Sequence, residues 1–353
     1  MAKQNNLEGI YEDVAKKILS DSVHLSPGET LTIETWTTGL PLANLLALEA
    51  KRLGAFPLTV CEDEDGYVEG VRSAPKESLG KMGKHEQALL ASSDAYVFIP
   101  GPPIAGYYPK ITRKEYIDST AYNSSWYDAA KVSRLRGARV TSGYVGKDVA
   151  KLLGRKRKEI MRHQLEAALV DPPVLKANAK KVADNFKEGA EVTLHTKESE
   201  LTFKLKGELE IQDGVVDDQD LQDGNNVAYV PAGYVSKDID TITVNGAVRL
   251  SPSITRYGLL EGVEAVFDKG NFVSWKSKKN PEIIKSLGEV LPEKSRLPAY
   301  VMVGINPKMK FGFAQDRFPE GSVTVGVGFA GIARNATLEV DDKVIVKDGV
   351  ILK

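Results

Sequence analysis

The residues that could move protons or hold metal ions are scattered along this chain, and their spacing limits what they can do. Four histidines, His24, His85, His163 and His195, stand far apart, with none of the HxH, HxxxH or HExxH spacings that put two imidazoles on one cation. His163 falls in the basic run RKRKEIMRHQ, where a solvated helix position is expected; His195 alternates along a strand-like segment and is expected to pair with a carboxylate. Asp213, Asp217, Asp218, Asp220 and Asp223 crowd IQDGVVDDQDLQDGNN, but the DxDxDG register of a calcium loop is missing, so the segment reads as a mobile acidic loop. Glu261 with Glu264, and Asp316 with Glu320, are pairs of the kind used in acid–base or metal chemistry, in a chain whose 48 acidic residues generate such pairs by chance. Cys61, the single cysteine, closes a strand-like segment and reads as a small buried hydrophobe; no Ser-His-Asp or Cys-His set has a usable spacing.

Gly101-Pro102-Pro103 and Gly106-Tyr107-Tyr108-Pro109 follow a predicted parallel strand, where open α/β sheets place ligands. Prolines remove the amide donors a phosphate needs, so this segment reads as a rigid wall or a plain connection, not a phosphate loop. The run Arg155-Lys156-Arg157-Lys158 lacks interleaved aromatics, and 47 basic against 48 acidic residues leave a net charge of −1. Nucleic acid and anionic membranes are therefore not expected partners. No apolar run reaches the roughly 18 residues that span a bilayer, and the opening MAKQNNLEGIYEDV has no apolar core of a signal peptide. One thiol allows no intrachain disulfide, so a cytoplasmic protein is expected.

The elements that must position these groups follow from periodicity. At 353 residues, two cores are expected. Ile10, Val14 and Ile18 recur at helical spacing over residues 7–23, and Pro27-Gly28 ends that helix. TLTIETW, PLANLLALEAKRLGA and FPLTVCE read as strand, helix and strand, a βαβ unit repeated by DAYVFIPG, a helix over residues 125–136 and ARVTSGYV. Helices over residues 155–170 and 173–187 are parted by Asp171-Pro172-Pro173. Beyond them come short alternating strands (EVTLHT, ELTFKLKG, TITVNGAVRL, SVTVGVGF) with tight turns at Asn245-Gly246, Asp268-Lys269-Gly270 and Asp348-Gly349, and one helix over residues 281–288. The expected fold is α/β, with an N-terminal doubly wound parallel sheet over residues 1–170 and a strand-rich α+β C-terminal domain over residues 171–353.

LSPGETLTIETW and ALEAKRLGAFPLTV, followed in order by ELTFKLKG, NNVAYVPAGYV, LLEGVEAVFDKGNFVSWKSKKN, YVMVGINP and GSVTVGVGF, make the chain resemble the thermophilic metalloaminopeptidases, the aminopeptidase T and aminopeptidase S group. The resemblance implies a dimer whose carboxy-terminal domain holds two divalent ions, such as zinc or cobalt, that activate a water against the first peptide bond. It also implies where the ligands belong. The glutamate of a P-x-x-E-V-F-like stretch aligns with Tyr234, and the glutamate of an L-G-E-like stretch before G-x-N-P with Tyr300. The histidine of a V-H-I-A-L-G-like strand aligns with Thr324, and the histidine and aspartate of an H-W-D-like stretch with Asn335 and Thr337.

A phenol with pKa near 10, an amide and a hydroxyl do not supply what a carboxylate and an imidazole supply to a dication. The expectation is therefore an aminopeptidase T-like protein with no metal cofactor, using Tyr234, Tyr300, Thr324 and Asn335, with Glu261 as base or structural acceptor, to bind a small polar ligand or short peptide. Packing that fills the cavity is the competing reading. The alternative enzyme is a metal-dependent aminopeptidase of two zinc or cobalt ions, whose ligands have moved to Glu261, Glu264, Asp316, Glu320 or His195. A purely structural role, with an apolar dimer face and no pocket, is a third possibility.

Overall fold

The computed structural model describes residues 7–100, 113–141, 145–251, 253–255, 258–313 and 316–352. The chain divides into two compact units, one of Met1–Pro172 with Gly214–Ala232 and one of Pro173–Asp213 with Gly233–Lys353. In chain order the first unit contains α1 (Leu7–Lys17), β1 (Thr30–Trp36), α2 (Leu40–Arg52), β2 (Phe56–Glu62), α3 (Glu64–Ser73), α4 (Lys84–Ser92), β3 (Ala95–Phe98), α5 (Arg113–Val132), β4 (Arg136–Val140), α6 (Lys147–Leu152) and α7 (Arg157–Ala168). After α8 (Pro172–Ala183), β5 (Glu191–Thr196) and β6 (Ser199–Gln212), the chain returns to the first unit for α9 (Asp218–Asp223) and β7 (Val227–Val230).

The first unit is a parallel five-stranded sheet in the order β2-β1-β3-β4-β7. Alternation along TLTIETW sends Leu31 and Ile33 to one face, where Ala95, Val97, Ala138, Val140 and Val230 join them. The stripe of α1 (Ile10, Val14) and that of α2 (Leu42, Ala43, Leu46, Ala50) bury against this face, with Pro41 setting the first turn of α2. A second, smaller core of Leu90, Tyr96, Ala130 and Leu135, joined by Phe98 and Trp126, gathers side chains of α4, α5 and β3. The sheet is thus covered on both faces, the doubly wound α/β layer expected.

Local differences have local causes. The opening helix is α-helical only to Lys17 and then makes one wider turn, Ile18–Ser22. The acidic segment is not an irregular loop, because Asp217 caps α9: its Oδ1 accepts from the amides of Gln219 at 3.0 Å and Asp220 at 3.1 Å, and Asp220 accepts in return from the Asp217 amide. Cys61 is exposed, contrary to expectation. It lies on β2, an edge strand that among the described residues pairs only with β1, where Phe56 is 67% and Leu58 50% exposed. His163 is buried on α7 rather than solvated.

The second unit continues with β8 (Tyr234–Leu250), β9 (Ser253–Thr255), β10 (Gly258–Asp268), β11 (Asn271–Lys279), α10 (Pro281–Val290), β12 (Tyr300–Gly304), β13 (Val323–Gly326), β14 (Ala330–Ala333), β15 (Thr337–Val340), β16 (Lys343–Lys347) and β17 (Val350–Ile351). Its twelve strands pair antiparallel along β14-β13-β12-β8-β6-β5-β15-β16-β17, with β10 branching from the far half of β8 to pair β9 and β11. Bulges bend the long strand β6 between Thr202 and Lys204 and between Lys206 and Leu209. The result is the strand-rich α+β layer expected.

Candidate functional site

Register decides which of the aligned residues meet. Tyr234 of β8 lies opposite Gly304 of β12, and Asp238 opposite Tyr300; Met302 lies opposite both Ser236 of β8 and Thr324 of β13. Glu210 and Gln212 of β6 lie opposite Ser236 and Tyr234. Because side chains alternate along a strand, Glu210, Gln212, Tyr234, Ser236, Tyr300, Met302 and Thr324 share one face of the sheet. Val235, Ile239, Val301, Val303, Val323 and Val325 occupy the other face and are fully buried. The aligned tyrosines and Thr324 are therefore brought to one surface by the pleat.

On that surface the Tyr234 hydroxyl donates to Glu210 Oε1 at 2.7 Å, and Gln212 Nε2 donates to the same oxygen at 3.4 Å. The Tyr234 ring stacks on Phe318 with centroids 5.3 Å apart, and the Arg317 guanidinium sits 5.0 Å from the Phe318 centroid. The segment bearing these residues folds back at Asn306, whose amide donates to Phe318 O at 3.0 Å, while Ile305 N donates to Gly233 O at 3.0 Å. Gly233 is required there: its φ is 137°, and a Cβ would stand 2.6 Å from the Asn306 Cβ. Tyr300 lies over Gly326, where a Cβ would run into its ring. Burial pushes the Tyr300 phenol above its ordinary pKa; Arg317 lowers it and Glu210 raises it, so a cation and an anion both act on this hydroxyl. Thr324 is fully buried, and its hydroxyl makes no hydrogen bond among the described residues.

The other expected site residues lie elsewhere. Glu261 is on β10 and is held by Lys279 of β11 at 2.8 Å. Asn335 is exposed in the turn between β14 and β15, in left-handed backbone with φ 53°, and Thr337 opens β15 opposite His195. Neither Glu261 nor Asn335 belongs to the strand rows that unite Tyr234, Tyr300 and Thr324. Glu264 pairs with Arg249 at 3.1 Å, and Asp316 with Arg334 at 2.8 Å. His195 lies between Glu200 at 3.3 Å and Glu339 at 3.7 Å, the carboxylate pairing expected of it. The Gly101 to Pro109 segment lies outside the described residues.

Two divalent ions do not fit the donors on this face. Tyr234 commits its proton to Glu210, burial keeps the Tyr300 phenol protonated, and Thr324 is uncharged, which leaves Glu210 and, opposite Tyr300, the exposed Asp238 as the carboxylates. Among the described residues no three of histidine, cysteine, aspartate and glutamate gather where they could hold a metal ion. The charges that act on the Tyr300 hydroxyl are an anion, Glu210, and a cation, Arg317, neither with an ion-pair partner among the described residues. Sequence reasoning missed both. The alternation of Glu208, Glu210 and Gln212 with Leu209 and Ile211 was a signal for Glu210; Arg317 is positioned by a fold-back that no periodicity marks.

No family model matches the sequence, and no curated protein matches it. Among solved structures, wild-type AmpT from Thermus thermophilus matches with a TM-score of 0.71 at 14% identity, over 99% of this chain and 100% of that chain. The fold is aminopeptidase T-like over essentially its whole length. No helix of the described residues is long and apolar enough to cross a membrane.

Proposed function

We propose that this chain is an aminopeptidase T-like protein whose dinuclear metal site has been replaced by a hydrogen-bonding cluster that binds a small zwitterion, of amino-acid or short-peptide type, without a metal. In this reading Glu210 takes the ligand ammonium, Arg317 takes the carboxylate, and Tyr234, Tyr300 and Thr324 donate to or accept from the polar atoms between. The observation that carries it is the position of Tyr300, acted on by an anion and a cation that have no ion-pair partner of their own among the described residues. Opposite charges held apart on a half-buried surface match a ligand that carries both. The fully buried Thr324 hydroxyl adds a donor that a ligand or an ordered water would satisfy.

The cytoplasmic location and the homodimer expected from the sequence belong to this proposal, and any surviving catalysis would be hydrolysis of the aminopeptidase type. Calorimetry on chelator-dialysed protein tests it, with leucine and glycylglycine as zwitterions and their N-acetyl and amide forms as controls. Binding of the zwitterions, weakened at least tenfold by Glu210→Gln and by Arg317→Gln, is the expected result. Stoichiometric zinc or cobalt in protein purified without chelator, with release of amino acid from an amino-acyl amide, would instead establish the metal-dependent peptidase.

A further inference from the structure

The parallel sheet of the first unit has a reversal point of its own. In the order β2-β1-β3-β4-β7 the chain runs outward in both directions from β1 and β3, and open α/β sheets bind ligands beyond the carboxyl ends of strands at such a point. A cavity lies there. It measures about 40 Å³ on a scale where one water needs roughly 10–15 Å³, within a cleft of about 440 Å³ that includes open solvent. Glu34, Phe98 and Arg139 form one register row across β1, β3 and β4 and line it, with Tyr122, Trp126 and Tyr127 of α5 as the facing wall.

The polar groups of this cavity are unequal. The Glu34 carboxyl accepts a hydrogen bond from the Tyr96 hydroxyl; burial pushes its pKa up and that hydrogen bond lowers it. Arg139 makes no ion pair among the described residues; its guanidinium lies 5.6 Å from the Phe98 centroid and 6.0 Å from the Tyr229 centroid. Trp126 is held edge-on by Tyr96 and Tyr127, each with centroids 5.3 Å away. The cavity thus combines a guanidinium with no ion pair among the described residues, aromatic walls and a carboxyl already engaged by the Tyr96 hydroxyl. A guanidinium receives a carboxylate through two parallel hydrogen bonds, and flat apolar walls receive a ring.

We propose that the first unit carries a second ligand site, for a small aromatic carboxylate whose anion binds Arg139 and whose ring lies against Phe98 and Trp126. An amine lacks the two acceptor oxygens that the guanidinium takes, is repelled by Arg139, and meets a Glu34 carboxyl already engaged by Tyr96. The site is independent of the zwitterion site on the strand-rich sheet. Calorimetry on the full chain with benzoate, 4-hydroxybenzoate and benzylamine tests the proposal, with circular dichroism checking that each variant is folded. Expected are binding of both carboxylates, tenfold or weaker binding of benzylamine, and a tenfold or larger loss for carboxylates in Arg139→Gln. Arg139→Lys, which keeps the charge but not the paired donors, should fall between, and Arg317→Gln should leave benzoate binding unchanged. The proposal is overturned if neither carboxylate binds at 5 mM (roughly −3 kcal/mol by affinity arithmetic). It is equally overturned if benzylamine binds as well as benzoate, or if Arg317→Gln rather than Arg139→Gln abolishes the binding.

Discussion

Removing the hydroxyl of Tyr234 tests whether the strand rows place a working hydrogen bond at the position where the sequence resemblance put a metal-ligating glutamate. In Tyr234→Phe the ring keeps its stack on Phe318, but among the described residues Glu210 is left half-buried with only the 3.4 Å contact from Gln212. A hydrogen bond to a charged acceptor contributes about 1.5–3 kcal/mol net, and the geometry here, 2.7 Å from hydroxyl to carboxylate, is that of a good one. For a unit of this size each kcal/mol shifts the melting temperature by roughly 2–4 °C, so a fall of about 3–12 °C is expected. The cost must belong to the pair, so it is measured by a double-mutant cycle with Glu210→Ala, in urea, following Trp275 in a background with Trp36 and Trp126 replaced by phenylalanine. A coupling energy of about 1.5 kcal/mol or more is the expected outcome. Additivity within about 0.5 kcal/mol would mean that the two side chains act independently, and the cluster on which the zwitterion reading rests would go with it.

The acidic corner of the first unit gives a pH dependence. Burial, with the charge of Glu34 adding, pushes Glu62 and Glu86 up to about 7, so the folded chain holds protons there that the unfolded chain releases near pH 4.5. Stability should accordingly fall as pH rises from about 4.5 to about 7 and level off above; a Glu62→Gln/Glu86→Gln variant melted across that range should show a flatter profile. Gly326→Ala should displace the Tyr300 ring, costing roughly 1–3 kcal/mol in chemical denaturation and weakening zwitterion binding, whereas Tyr300→Leu in the same background should recover part of the stability and none of the binding. Glu261→Gln, which breaks only a surface pair with Lys279, should cost no more than about 1 kcal/mol and leave ligand affinity unchanged; a loss of affinity would return Glu261 to the site.

Much of the architecture was legible because it rests on periodicity. The stripe of α2 and the alternation of TLTIETW each bury one set of side chains, and β2 runs over the residues expected, Phe56 to Glu62. Where the reading went astray, the deciding contacts were distant in sequence. The burial of Cys61 was misjudged because β2 turned out to be an edge strand, which is a property of sheet order and not of FPLTVCE itself. Tyr234, Tyr300 and Thr324 were brought together by antiparallel pairing across gaps of 66 and 24 residues, while Glu261, chosen for its chemistry alone, was claimed by a lysine on the next strand. Glu210 and Arg317 escaped notice because charged residues are common here and only the folded pairing sets these two apart from the others.

The return of the chain to supply β7 has a consequence for synthesis. When residue 172 leaves the ribosome, the parallel layer is one strand short, and β4 presents unpaired amides and carbonyls until Val227–Val230 arrives more than fifty residues later. A nascent chain or a fragment cut near residue 170 therefore carries a sticky border, and chaperone capture or self-association should be concentrated in that interval of translation.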